Sequence, residues 1–283
     1  MSTVHPPSRI LVIDGSSHLL DALRASPELE DAAIETCRTG LQAVHRLSGR
    51  AYDVVLTSAE TSVEEDLGLL AVLRRARPGI RVIALAPENS PEEILSALRA
   101  DVFACFDAPF DLDEIATMTA RAVEASDGSK GIEVVSAKRD WIQLRVNCRR
   151  LEAERLTHFM SEIQKDLEDS SHQQLLIAFR EVLLNAMEHG AGFDPEKVIE
   201  VAAIRTARTI VYYFNDAGPG FHPEEIGHAA VSNPPDDPLA HVERREAAGL
   251  RPGGFGLLVA KRIVDEMLFN EAGNAVLLIK HTS

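Results

Sequence analysis

Lysine is missing from the first 129 residues, where eleven arginines carry all the fixed positive charge. Cations are scarce throughout: 29 Lys and Arg stand against 44 Asp and Glu, for a net charge of −15 and a pI near 5.1. That balance argues against nucleic acid or an anionic membrane surface as partner and leaves a basic protein partner open. No apolar run approaches 18 residues, so no membrane span is read. The opening residues, MSTVHPPSRI, lack the charged and apolar regions of a secretory signal, and a cytoplasmic location is expected. Cysteine is rare too. Cys37, Cys105 and Cys148 are odd in number and scattered, which reads as core thiols in a reducing compartment, not a disulfide framework or metal site. What is present is ample core material: 283 residues, 45% hydrophobic, enough for about two domains.

Composition divides the chain near residue 127. SDGSKG (126–131) reads as a linker, giving a first domain over 1–126, a linker over 127–131 and a second domain over 132–283. Before the linker, strands and helices alternate. RILVID, AIETC, YDVVLT, IRVIALA and VFACF read as strands. Helices are expected over 17–25, LQAVHRL, DLGLLAVLRRARP, PEEILSALRA with Pro91 in its first turn, and DLDEIATMTARAVEA capped by Asp111. Alternation of this kind predicts a doubly wound α/β parallel sheet covered on both faces.

The strings ILVID, YDVVLT, RVIAL and APFDLDE, with this order of elements, resemble the receiver domain of two-component response regulators over nearly the whole first half. The resemblance fails at the chemistry. A receiver carries an acidic pair after its first strand, and here Asp14 is followed by Gly15 and Ser16. The phosphate-accepting position falls on Ser58, the strand-four Ser/Thr position on Ala86, and the lysine before Pro109 is Ala108. A site reduced to Asp14 holds metal poorly. The resemblance therefore implies a pseudo-receiver, an interaction or dimerisation module. Ser58 reads either as a new phosphosite or as a small residue in a dead pocket.

In the second half, IEVVS and IQLRV look like a hairpin, followed by a helix over roughly 151–168 and another carrying FREVLLNAMEHG (179–190). Read as one helix, that stretch turns Val182, Leu183 and Ala186 to a core together with Ile177, while Glu181, Asn185 and His189 stack at i, i+4 and i+8. Strands VIEVAAI and TIVYYFND follow, then a long Pro- and Gly-rich segment, a helix over 257–267 and a last strand, AVLLIKH. The pattern predicts an α+β two-layer sandwich with helices on one face of a mainly antiparallel sheet.

Three strings then line up: Glu181-x-x-x-Asn185-Ala-x-x-His189-Gly190; Asn215-Asp216-Ala217-Gly218-Pro219-Gly220 after a strand; and Arg251-Pro-Gly253-Gly254-Phe-Gly256 before a helix. Each alone is weak, and Glu181 alone could be a surface charge, Asp216 a plain turn. Together and in this order they resemble the three nucleotide-binding boxes of the GHKL ATPase superfamily, the Bergerat fold, over roughly 131–281. That resemblance implies Mg²⁺-ATP as ligand, with Asn185 on the metal, Glu181 as general base, and Asp216 accepting from the adenine amino group. Gly218 and Gly220 would let the chain pass the base, and Gly253, Gly254 and Gly256 would offer N–H groups to phosphates at a helix start. His189 has a structural and a site reading of equal weight.

The compact layout, without an evident helical hairpin ahead of the first box, looks like the anti-sigma-factor serine kinase branch. This implies phosphorylation of a serine on an anti-sigma-factor antagonist, or capture of a sigma factor, by partner switching, in a chain that is a possible homodimer. The alternatives are an ATP-dependent binding scaffold without turnover and a histidine-kinase-like component of a two-component pathway. Residues 221–252 depart from a minimal lid in length and charge. Arg244, Arg245 and Arg251 there either reach a γ-phosphate or solvate the loop.

Overall fold

The computed structural model describes residues 7–125, 131–167, 169–220 and 255–282. The chain splits into two compact units, 1–130 and 131–283. In the first, five strands, β1 (Arg9–Ile13), β2 (Ala33–Cys37), β3 (Val54–Leu56), β4 (Arg81–Ala86) and β5 (Ala104–Asp107), pair in parallel in the order β2-β1-β3-β4-β5. They alternate with α1 (Ser17–Ala25), α2 (Gly40–Gly49), α3 (Val63–Ala76), α4 (Pro91–Arg99) and α5 (Leu112–Glu124). This is the doubly wound fold that the strand–helix alternation predicts.

Local signals set the helix starts. Ser62 and Ser90 each form a capping box with the glutamate three residues on, Glu65 and Glu93, and Pro91 opens α4. Asp111 accepts from the N–H groups of Asp113 and Glu114, as its place before α5 predicts. All three cysteines are buried free thiols.

The second unit is a six-stranded antiparallel sheet in the order β10-β11-β9-β8-β7-β6, with helices on one face. The hairpin is β6 (Ile132–Lys138) and β7 (Trp141–Asn147); α6 (Arg150–Ile163) and α7 (Asp169–Asn185) follow, then β8 (Val198–Arg205) and β9 (Thr209–Asn215). Further along the chain come α8 (Gly256–Ile263), β10 (Glu266–Phe269) and β11 (Ala275–His281). On the helix face, Phe179 of α7 packs edge-on against Tyr212 at 5.0 Å and tilted against Phe214 at 5.2 Å. The buried Tyr212 hydroxyl donates to Gln164 at 2.6 Å. Among the described residues no helix is long and apolar enough to cross a membrane.

Four expectations change. The helix expected over 151–168 ends at Ile163. The one expected over 257–267 ends at Ile263 as well, because Glu266–Phe269 pairs with β11 as an edge strand. Ile177 does not face the core but stands 47% exposed. The helix through FREVLLNAMEHG is not uniform either: α7 stops at Asn185 and Ala186–Gly190 winds as a wider π turn. The wider turn breaks the i, i+4, i+8 stack and leaves His189 exposed.

Candidate functional site

Parallel strands place their C-terminal ends on one edge of the sheet, and Asp14, Ser58, Ala86 and Ala108 all lie at the ends of β1, β3, β4 and β5 there. Asp14 is exposed, in a left-handed backbone conformation (φ 50°); Ser58 is buried at 8% exposure, and Ala86 fully. The Ser58 hydroxyl accepts from Glu60 N–H at 3.2 Å, and its carbonyl accepts from the Thr61 hydroxyl at 2.8 Å. One buried carboxylate nearby escapes sequence reading. Asp66, 3% exposed at the start of α3, accepts from the hydroxyls of Thr57 and Thr61. Burial pushes its pKa up to about 6 against the two hydroxyl donors.

In the second unit the three strings converge. Asp216 caps the end of β9, 8% exposed. Its Oδ1 accepts from Gly218 N–H at 2.7 Å, and its own N–H donates to the Asn274 carbonyl at 3.0 Å. Burial raises its pKa, opposed by the Gly218 hydrogen bond and the Lys197 charge. Gly190, closing the π turn, lies flat on this carboxylate: a Cβ there would stand 2.2 Å from Asp216 Cγ. A Cβ on Gly218 would stand 2.4 Å from the Gly190 carbonyl oxygen. Thus the end of the first string and the second are packed backbone to side chain, with room only for glycine.

The first and third strings meet at the other end of the same turn. A Cβ on Gly256 would lie 2.4 Å from Glu181 Oε2 and 3.5 Å from Asn185 Nδ2. Glu181 is one-third exposed, with Arg180 at 3.9 Å. Between the two meeting points lies a narrow cavity of about 20 Å³, lined by Asn185, Asp216, Val182, Leu257, Val276 and Asn274 among others. That is room for about one water, well short of the ~300–1,000 Å³ of ligand pockets, so a ligand ring enters only as the lining side chains move apart. Its wall is mainly apolar, and Asn185, Asp216 and Asn274 bring its few polar groups. Gly220 lies beyond Gly218 at φ 78°, pressed so close to Ala272 of the β10–β11 turn that no side chain fits. Gly253 and Gly254, the segment 221–252 and its Arg244, Arg245 and Arg251 lie outside the described residues.

Residues 146–280 match the histidine kinase-like ATPase domain family and residues 10–120 match the response regulator receiver domain family. The chain carries a receiver domain followed by a histidine kinase-like ATPase domain. Curated relatives are the alginate biosynthesis transcriptional regulatory proteins AlgB of Pseudomonas putida and Pseudomonas syringae pv. tomato, 23% and 22% identical over 130 residues. Those matches take in 46% of this chain but 29% of each relative, so the chain spans less than a third of their length. Among solved structures, a CheY-like receiver domain protein of Methanospirillum hungatei JF-1 is 20% identical, covering 42% of this chain and 94% of its own, with a TM-score of 0.36. A Thermotoga maritima response regulator is 20% identical over 42% of this chain and 99% of its own, also at 0.36.

The ATPase domain's donor set bears on magnesium. Among the described residues, no three His, Cys, Asp or Glu side chains gather as for a protein-built metal site. Asn185 lines the cavity, and Glu181 lies one turn before it, so the protein offers one or two oxygens beside Gly256. That fits Mg²⁺, which keeps water and takes most other ligands from phosphates. Sequence reading missed Asn274, which lines the cavity and holds Asp216 through its backbone and, at 3.4 Å, its amide. Its place follows from strand pairing, which the sequence does not show: β9–β11 pairing sets Ala275 opposite Asn215, so the residue before AVLLIKH flanks Asp216. His189 is not among the cavity-lining residues.

Proposed function

We propose that the ATPase domain is a Mg²⁺-ATP-dependent protein-serine kinase in a signalling regulator that works by partner switching, and that the receiver domain is an interaction module taking no phosphoryl group itself. The observation behind this reading is that Asn185 and Asp216, from two distant strings, line one cavity, while Gly256 of the third packs against Asn185 and Glu181 beside it. Asp216 is the adenine acceptor: the Gly218 N–H occupies Oδ1, and the second oxygen receives the exocyclic amine. Asn185 supplies an oxygen to the nucleotide-borne Mg²⁺, which screens phosphate charge when bound.

Glu181 is the general base. As the serine oxygen bonds to the γ-phosphorus, its proton passes to the carboxylate, the bond to the β–γ bridging oxygen breaks, and ADP leaves. The partial exposure of Glu181 suits a protein substrate arriving from solvent. The substrate we propose is a serine on an anti-sigma-factor antagonist, with a sigma factor as the alternate partner.

Calorimetry with ATP, and labelled ATP with a purified antagonist, test this reading together. Asp216→Asn should lose about tenfold to a hundredfold in affinity, because an amide accepts through one atom only where both carboxylate oxygens are to accept. Asn185→Ala should weaken binding only with Mg²⁺ present. Glu181→Ala should hold affinity within a few-fold and lose about a hundredfold or more in transfer. A parent protein that binds ATP but labels no antagonist would sink the kinase reading and leave a scaffold. Variants that all bind ATP like the parent would remove the nucleotide site.

A further inference from the structure

One wall of the cavity is the end of the β10–β11 hairpin, which contributes Phe269, Gly273, Asn274, Ala275 and Val276. The turn that closes this hairpin, residues 270–274, is built around one side chain. The Asn270 Oδ1 accepts from two backbone N–H groups at once, that of Asn274 at 3.0 Å and that of Ala275 at 3.1 Å. A backbone N–H can only donate, so this pair fixes which end of the Asn270 amide faces the backbone. Its Nδ2 points the other way and donates to the Asn274 Oδ1 at 2.8 Å. The Asn274 amide is thereby fixed as well: with its oxygen engaged, its Nδ2 turns to the Asp216 carbonyl at 3.4 Å. The Asn274 carbonyl meanwhile accepts from the Asp216 N–H at 3.0 Å. Asp216 is thus held on both sides of its own Cα by one residue, whose orientation Asn270 sets. Gly220, at the far end of the second string, presses against the Ala272 carbonyl of the same turn.

We propose that Asn270 is a positioning residue for base recognition, acting through Asn274 to aim the Asp216 carboxylate at the adenine amino group. The proposal rests on the reading of Asp216 as the adenine acceptor. An asparagine in a turn ordinarily does no more than fix the local backbone. Two features go beyond that here. The amide-to-amide bond to Asn274 is not needed to close the turn, whose backbone is already joined by Asn270 N–H to the Ala275 carbonyl at 3.1 Å and by Gly273 N–H to the Asn270 carbonyl at 3.0 Å. And the polar chain that starts at exposed Asn270 ends on a residue only 8% exposed, Asp216. With its backbone pinned on both sides and its Oδ1 on the Gly218 N–H, that carboxylate has little freedom to turn, and its second oxygen keeps one direction. Such preorganisation favours the ligand that uses the second oxygen and leaves one that does not unaffected.

Calorimetry of the full chain with Mg²⁺-ATP and with Mg²⁺-ITP reads this difference. The hypoxanthine of ITP carries a carbonyl where adenine carries its amino group, on the same ribose and triphosphate. The parent should bind ATP at least about tenfold more tightly than ITP. Asn270→Ala should weaken ATP binding about five- to tenfold and ITP binding by less than about twofold, so that the preference nearly disappears. Asn270→Asp keeps an acceptor for both N–H groups but sets an oxygen against the Asn274 oxygen. It should lose the same preference while melting like the parent, and its added charge repels both triphosphates alike and cancels in the ratio. Glu271→Ala, at an exposed neighbour in the same turn, should keep the parent's preference. If either Asn270 variant keeps the preference for ATP, or weakens both nucleotides equally, Asn270 merely holds the turn, and the proposal falls with the nucleotide site still standing. A parent that binds the two nucleotides alike removes the reading of Asp216 and the proposal with it.

Discussion

Replacing Gly190 with alanine tests whether the π turn and the end of β9 form one unit. The new Cβ would stand 2.2 Å from Asp216 Cγ, 2.3 Å from Oδ1 and 2.6 Å from Oδ2. Ordinary contact begins near 3.4 Å, so the carboxylate must retreat by about 1 Å. The Gly218 N–H bond, 2.7 Å in the native arrangement, would stretch to about 3.7 Å and cease to be a hydrogen bond. Asp216 is buried, so losing that donor strands a carboxylate at a cost of about 1–3 kcal/mol. Gly190 has no positive φ, so alanine meets no backbone strain and the loss comes from the contact alone. The expected result is destabilisation of that order and a 5- to 150-fold loss of ATP affinity, about 1–3 kcal/mol. Chemical denaturation and calorimetry with ATP measure the two effects. Gly68→Ala is the control: it sits within α3 with open space around it and should stabilise by up to about 1 kcal/mol. If Gly190→Ala binds ATP and unfolds like the parent, Asp216 is not held by this packing.

Other substitutions separate neighbouring roles. Gly218→Ala meets the backbone oxygen of Gly190 at 2.4 Å and should abolish ATP binding. Gly256→Ala meets only the movable end of Glu181 and should lower phosphoryl transfer more than affinity, as paired binding and transfer assays would reveal. Asp66, with a pKa of about 6 when folded against an ordinary 3.8, costs the receiver domain stability as pH rises through 6. Asp66→Asn should therefore unfold later than the parent above pH 6, by up to about 3 kcal/mol, with the advantage gone below about pH 4. A pH series of melting curves in which that difference does not shrink on acidification would refute the burial argument. Incubation with a small acyl phosphate should leave residues 1–126 unmodified by mass spectrometry, because Ser58, Ala86 and Ala108 stand at the receiver's reactive positions.

Features fixed by local chemistry were legible in the sequence. Pro91 in the first turn of α4 and the cap Asp111 act within three residues of themselves, so the starts of α4 and α5 could be read directly. The same holds for Asp216 and the glycines after it, since a strand end followed by a tight turn is a short-range pattern. Features decided by packing could not be read. EMLF follows α8 with no glycine or proline between, and only pairing with β11 makes it a strand. Ile177 shares its helix with Val182 and Leu183, yet its direction depends on where the neighbouring elements lie. Asp66 sits in an acidic run that reads as a solvated helix start, and only the packing of α3 against Thr57 buries it. Asn274 required knowing which strand lies beside β9.

The π turn at Ala186–Gly190 has a consequence for angular phase. An α-helix advances about 100° per residue, and a turn closed from i to i+5 holds one residue more than an ordinary one. Everything after Asn185 is therefore set back by about 100° relative to the face that carries Glu181. That offset turns the Gly190 backbone onto Asp216 while His189 turns outward. The helix thus works as a crank, with the proposed base and metal ligand on the shaft and the Asp216 support on the offset arm. Deleting one residue from 186–189 would straighten the crank and swing the arm away by more than a quarter turn, with every residue of the three strings still present.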